Sequence, residues 1–442
     1  KLLKDINPGT ASSSPSYMCR LGNYVYFRAN DGKNGTELWR TDGTTAGTVL
    51  FMDINIVTTT ASGYPTYMTR IGDKMYFYAN NGTTGNELWV SDGTKAGTKL
   101  VKDIYAGTSS SSPNYFARLG MTNMCVFAAY DGTATTGTGN ELYITDGTAA
   151  GTKLLKDIRP GGTNGGYPSY MRSMGDKVYF RANDGTNGYE LWVTDGTSAG
   201  TKMVLDNNVG SSSGYADYIA VQNGMLYYRS TNGTTGYELY SSDGTAAGTK
   251  IYLDYTAGSG STNPYYITAV GSRRIYFRGT DAVKGSEMMW ADVTATTPAF
   301  NIHDMNPTGQ SYPNNYRGGR YEFAVQSGNV YCYGTLTSSP TDYQLIKVVN
   351  GGTAQSIGRA TDSSVMTATD PVIGKNITIK GTTSVPNPLS VLCLGVPTTK
   401  PAPLTGLVPG SYAYFQVGNF FWIIGNLPGK AWANVFPIPN DP

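Results

Sequence analysis

Two kinds of chemistry could be assembled from the side chains that this sequence spaces out. One is hydrolysis by paired carboxylates, which needs an acid and a base whose pKa values are held apart. The chain has one histidine, His303. It sits in the slot that other copies of a repeat fill with Lys4, Lys102 and Lys156, just before a strand-terminal Asp. It therefore reads as a surface strand residue, and a Ser-His or Cys-His nucleophile system goes with it. The carboxylates outside the repeated phrases include Asp217, Asp281, Glu322 and Asp370. Asp217 and Glu322 fall on the first strands of their units, where two acids could cleave a glycosidic bond without histidine. The second chemistry is anion recognition. Arg20, Arg70 and Arg118 share one position in successive units and could form an arc for an anionic ligand. The competing partners are the strand-end Asp53, Asp103 and Asp157.

Other constellations are weaker. Asn30-Asp31-Gly32 with Glu37, and Asn183-Asp184-Gly185 with Glu190, could be cation loops, but the EF-hand spacing is missing and hydrogen-bonded turns explain the same residues. Gly147 to Lys153 has the wrong spacing for a phosphate loop and leads into a strand. No metal and no cofactor is expected, and no residue is assigned a catalytic role. Asn34, Asn81, Asn232 and Asn376 begin Asn-x-Thr sequons, three of them in hairpin turns, and could carry sugar in an exported protein.

The elements that would position these residues repeat about every fifty residues. Glu37-Leu38-Trp39-Arg40-Thr41-Asp42-Gly43-Thr44 returns at Glu87, Glu141, Glu190 and Glu238, with a worn copy at Glu287. Ala-Gly-Thr follows the first five. The recurrent Asp42, Asp92, Asp146, Asp195 and Asp243 should accept hydrogen bonds from their own turns. Trp39, Trp89, Trp192 and Trp290, with Tyr143 and Tyr240, should fill the space between neighbouring units. A residue present in every copy reads as part of the repeat's construction.

Each unit reads as four short strands. In the fourth, Ser169 to Met174, Lys177 to Ala182, Glu190 to Thr194 and Lys202 to Asp206 alternate and are separated by turn signals. No stretch has a helical period, so consecutive strands should pair as an antiparallel meander. Arg28 and Glu37, Arg181 and Glu190, Arg229 and Glu238, and Arg278 and Glu287 all lie nine apart, which suggests a cross-strand pair on one face of a hairpin.

Later units are blurred, yet hairpins can be counted to nine. The expected fold is a single all-β propeller over residues 1–442. Residues 1–6 would be a strand closing the last blade, 7–360 blades one to seven, 361–410 a degenerate blade, and 411–442 the last blade and tail. Eight blades, or seven with a separate C-terminal β region, are the alternatives. Leu2 to Ile6 matches Leu154 to Ile158, a fourth strand, so the N-terminus could close the ring or be donated to a neighbouring molecule.

Composition narrows the partners. The 442 residues are 39% hydrophobic and only 14% charged, with 56 Gly and 34 Tyr. The net charge of +2 gives no footprint for nucleic acid. No apolar run reaches membrane-helix length. The four cysteines, Cys19, Cys125, Cys332 and Cys393, read as buried small residues. The chain begins at Lys1, as a processed product would.

Gly175 to Thr201, GDKVYFRANDGTNGYELWVTDGTSAGT, resembles the ELWxTDGTxxGT repeats of large secreted and surface proteins of bacteria. That resemblance implies a β-propeller-like fold and an extracellular or cell-surface, non-enzymatic role. With it, the expected function is a structural or adhesive propeller, self-associating into a fibre by strand exchange or binding surface glycans. A carbohydrate-binding propeller, or a glycoside hydrolase or lyase working at the channel, is the alternative.

Overall fold

A computed structural model describes residues 2–132, 137–161 and 165–303 with their side chains. Beyond these it describes the backbone of nine strands between residues 324 and 437, with the side chain of Val330. Glu322, Asp370, the side chains of Cys332 and Asn376, and Cys393 lie outside the described residues.

The repeat becomes a series of antiparallel sheets, with no helix among the described residues. The first sheet is Ser16–Leu21, Tyr24–Asn30, Thr36–Thr41 and Val49–Met52, paired in chain order. The fourth is Ser169–Met174, Lys177–Asn183, Tyr189–Thr194 and Lys202–Leu205, within a residue or so of the sequence expectation. Seven sheets have four strands. A two-stranded sheet (Val365–Thr369, Asn376–Lys380) and a three-stranded one (Tyr412–Val417, Phe420–Leu427, Lys430–Pro437) follow. The first strands of sheets one to six pack against one another in succession, which makes them the inner strands of a propeller-like array.

The core lies between sheets, not within one. Cys19, Leu21 and Tyr26 of the first sheet pack against Met75, Phe77 and Trp89 of the second. Val126, Leu142 and Ile144 of the third meet Val178, Phe180 and Trp192 of the fourth. Trp39, Trp89 and Trp192 are 5–6% exposed, as their role between units requires. Cys19 and Cys125 are buried free thiols, and burial pushes Cys19 up to about 12, so neither is a ready nucleophile.

The Thr-Asp-Gly-Thr phrase folds on itself as its residues demand. Asp195 Oδ1 accepts from the Thr197 hydroxyl (2.7 Å) and amide (2.9 Å), and Thr197 Oγ1 accepts from Gly200 N at 2.9 Å. The Thr194 and Thr201 hydroxyls meet at 2.7 Å and tie the two ends of the turn. Gly200 must be glycine, because a Cβ there would lie 2.1 Å from the Asp195 carboxylate. The Thr197 hydroxyl and then its amide hold Asp195 below the usual carboxylate range. These aspartates are occupied by their turns.

The recurrent glutamates are the joints between units. Glu37 Oε2 accepts from Ile54 N at 2.8 Å and Oε1 from Gly63 N at 2.5 Å, both in the connector to the second sheet. Glu141 holds Ile158, Arg159 and Gly166 in the same way, and Glu190 holds Asn207 and Gly214. The clamped connector then bridges two sheets through its backbone, with Tyr64 N donating to Thr36 O and Asn80 N donating to Gly63 O.

The nine-residue interval was misread from sequence. Arg28 pairs with Leu38, and Glu37 with Ala29; Arg181 pairs with Leu191, and Glu190 with Ala182. The hairpin loop places Asn30 opposite Thr36, so the register is one residue from that expected. A one-residue slip puts the two side chains on opposite faces. Glu goes into the joint and Arg goes to the inner wall.

The N-terminal strand also differs from expectation, because Leu2–Asp5 carry no strand pairing. Lys4 Nζ nevertheless donates to Thr48 O at 2.7 Å, as Lys102 Nζ donates to Thr152 O at 2.9 Å. Ile6 joins an apolar cluster with Met18, Val25, Phe27 and Trp39 of the first sheet. The segment thus repeats the lysine contact that the fourth strand of the second sheet makes with the third.

Burial pushes Glu37, Glu87, Glu141, Glu190 and Glu238 up to about 7. The folded chain then holds protons between about pH 4.5 and 7 that the unfolded chain has released. Stability is accordingly greatest below that window and falls as pH rises through it. His303, held down to about 4 by burial and then by Arg274, acts in the opposite sense below its ordinary value, one group against five. Thermal midpoints measured from pH 5 to 8 should fall and then level off; a midpoint that climbs across this range would refute the assignment.

Candidate functional site

The first strand of each of the first six sheets opens with a phrase that sequence reading did not single out: Ser14-Pro15-Ser16-Tyr17, Tyr64-Pro65-Thr66-Tyr67, Ser112-Pro113-Asn114-Tyr115, Tyr167-Pro168-Ser169-Tyr170, Tyr215-Ala216-Asp217-Tyr218 and Asn263-Pro264-Tyr265-Tyr266. Its last residue is always tyrosine, and every one of these tyrosines has a left-handed backbone, with φ between 54° and 58°. The strand pairing shifts register at that residue in all six sheets. A bulge of this kind turns a side chain away from the regular alternation.

The cost of the conformation is roughly 1–2 kcal/mol for each L-residue, and glycine would avoid it. Tyrosine nevertheless fills all six of these left-handed positions. The rings form a wall. Tyr17 meets Tyr67 at 5.6 Å between centroids, Tyr115 meets Tyr170 at 6.1 Å, Tyr170 meets Tyr218 at 5.2 Å, and Tyr218 meets Tyr266 at 5.3 Å. All six remain partly exposed. Burial raises the pKa of Tyr170, Tyr218 and Tyr266, so they present neutral phenols.

Arginines stitch this wall from the second strands. Arg28 donates to Ser16 Oγ of its own sheet (2.8 Å) and Thr66 Oγ1 of the next (3.0 Å), with its guanidinium 4.4 Å from the Tyr17 ring centre. Arg181 bonds Ser169 at 3.1 Å and forms an ion pair with Asp217, and it lies over Tyr170 at 4.9 Å. Arg229 takes the other oxygen of Asp217 at 3.0 Å. Arg278 lies over Tyr265 at 4.3 Å. The wall presents aromatic faces, phenolic hydroxyls and guanidinium groups.

The residues picked from sequence are distributed differently. Asp217 is on the inner strand as expected, but it is buried between two arginines and its carboxylate is fully engaged. Asp281 accepts from the Tyr255 hydroxyl at 2.6 Å and caps its own hairpin. Arg20, Arg70 and Arg118 curl back on their own turns, bonding Gly22 O, Gly72 O and Thr122 O. His303 is not a surface residue. It is half-buried and its ring lies parallel to Tyr276 at 6.2 Å, close to Trp290 at 6.4 Å. The sequon residues Asn81 and Asn232 use Oδ1 to cap their hairpin turns, and Asn34 is tied to Asp31. Among the described residues no group of three or more His, Cys, Asp or Glu gathers as a metal site, and no helix is long and apolar enough to cross a membrane.

Glycine separates backbone strain from ring contact at one of these positions. Tyr218→Ala should destabilise the chain, and Tyr218→Gly should destabilise it less by about 1 kcal/mol, because only glycine relieves the left-handed backbone. Urea midpoints of the two variants check this. An alanine variant at least as stable as the glycine variant would show that the strain is not real.

No family model matches the chain, and no curated protein matches it. The solved structures it is similar to include a puromycin hydrolase S511A mutant complexed with PGG, at 16% identity and TM-score 0.45, covering 84% of this chain and 58% of that one. A puromycin-hydrolyzing peptidase of Mycobacterium tuberculosis is similar at 11% identity and TM-score 0.46, covering 84% of this chain and 59% of that one. Prolyl oligopeptidase B from Galerina marginata, bound to a 25mer macrocyclization substrate, is similar at 11% identity and TM-score 0.49, covering 84% and 55%. This chain spans little more than half the length of those proteins. Those matches are hydrolases and peptidases, and they correct the expectation of a non-enzymatic structural or adhesive protein built into fibres. That expectation does not stand. Likeness at this level transfers no activity or substrate to this chain.

Proposed function

We propose that the protein recognises a sugar chain on the inner tyrosine wall. The observation that carries this reading is the recurrence of a partly exposed tyrosine ring at a left-handed bulge in the inner strands of the first six sheets. The apolar face of a pyranose stacks on a phenol ring, and its hydroxyls find the phenolic oxygens at the rim. The bulges also break the regular hydrogen-bonding edge of the inner strands, which disfavours a peptide adding as a further strand. Recognition then falls to side chains.

The ring that presents this wall is proposed to include the two- and three-stranded C-terminal sheets, giving nine units. Contact between the first inner strand, Ser16–Leu21, and Lys430–Pro437 supports this. The extracellular location implied by the repeat resemblance belongs to the same proposal.

Calorimetric titration with a panel of neutral and acidic oligosaccharides tests the reading. At least one class should bind, and Tyr170→Leu should weaken it about tenfold, the equivalent of 1.4 kcal/mol. Binding that is indifferent to Tyr170 and Tyr218 substitutions would overturn it.

A further inference from the structure

Resting on the sugar-binding reading of the wall, we infer that the sugar chain is acidic, with carboxylates that face the guanidinium groups of the fourth to sixth sheets. At the second-strand position behind the tyrosines, the sheets carry Arg28, Tyr78, Ala128, Arg181, Arg229 and Arg278 in order. The inner wall therefore holds four guanidinium groups at this level, three of them on consecutive sheets. Among the described residues one carboxylate, Asp217, answers them. The whole chain carries a net charge of only +2, so this concentration of cation is local.

The stitching role of the arginines does not exhaust them. A guanidinium has five N–H donors in a planar fork suited to carboxylate. Arg28 spends two on Ser16 and Thr66. Arg278 has no ion pair among the described residues and lies against Tyr265 and Tyr266. The Arg181 and Arg229 side chains keep 20% and 12% exposure, although Asp217 lies between them. Asp217 is the only acid that any described sheet places just before its wall tyrosine, where the others have Ser16, Thr66, Asn114, Ser169 and Tyr265. It holds two forks side by side and lowers the charge of the fourth and fifth sheets, leaving Arg278 as the strongest anchor of this sector. A uronate chain suits this arrangement, its ring faces on tyrosine and its carboxylates on arginine.

Titrations of the whole chain with hexagalacturonate, neutral maltohexaose and hexaglutamate, at low and high salt, distinguish the outcomes. Hexagalacturonate should bind about tenfold or more tighter than maltohexaose and lose that advantage at high salt. Arg278→Gln should abolish most of the advantage. Tyr78→Arg, which adds a guanidinium to the second sheet in place of a ring that meets Tyr67 at 5.7 Å, should raise the ratio of hexagalacturonate to maltohexaose affinity about threefold. This gain does not depend on a variant that weakens the fold, and circular dichroism melts of both variants confirm folding. Equal, salt-independent binding of both sugars would overturn the acidic assignment while leaving the sugar reading intact. Binding of hexaglutamate alone, or of none of the three, would overturn both.

Discussion

Glu190→Ala is expected to cost about 3–5 kcal/mol of folding stability and to lower the thermal midpoint by several degrees. The carboxylate is fully buried, and it accepts from Asn207 N at 3.1 Å and Gly214 N at 2.5 Å in the connector to the fifth sheet. Its removal leaves two backbone donors without partners, each worth roughly 1–3 kcal/mol, and opens a void beside them. Glu190→Gln makes the finer comparison. The amide does not titrate, so it should remove this residue's share of the stability lost toward pH 8, while its NH2 must face one of the two backbone donors and should cost about 1–3 kcal/mol at both pH values. Lys202→Ala, on the exposed fourth strand, is the control and should change stability by less than about 0.5 kcal/mol. Thermal and urea unfolding at both pH values measure all three. A Glu190→Ala variant as stable as the control would show that the glutamates do not hold the joints.

Asp217→Ala should be comparably damaging, at about 3–5 kcal/mol, because it leaves Arg181 and Arg229 facing each other without a counter-ion in a mostly buried site. Asp217→Ser places there the residue that the first and fourth sheets carry as Ser16 and Ser169, and it should recover part of the loss by accepting from one guanidinium. A double-mutant cycle with Arg181→Met separates the pair from the repulsion it suppresses. The coupling should be at least about 1.5 kcal/mol; additive single effects would mean that Asp217 is bound elsewhere in solution.

Much of the fold was legible in the chain. The fifty-residue period, the alternation of Lys177–Asn183 and the turn chemistry of Asp195 are local properties, and local sequence encodes them directly. The side-chain register was not legible. Arg28 and Glu37 keep a constant interval, but which faces they occupy depends on how Asn30 and Thr36 pair across the loop, and spacing alone does not resolve a slip of one. His303 looked like a surface residue because its counterparts are lysines, yet Tyr276 and Trp290 cover it from the sheet.

The wall was missed for a related reason. Each tyrosine sits in a variable four-residue phrase, and the one constant ring becomes meaningful only when the backbone φ is known. The arginines of the expected arc, Arg20, Arg70 and Arg118, share a position in the repeat but satisfy themselves within their own turns. Those that share the inner wall are Arg28, Arg181, Arg229 and Arg278.

By itself the sequence determined the all-β class, the four-strand unit and the turns, because alternation and turn propensity act over a few residues and repeat in every copy. Only the tertiary structure decided which of the repeated side chains became joints and which became surface. That choice depends on the register between strands and on what the next sheet brings opposite, and both are set by packing across some fifty residues of chain.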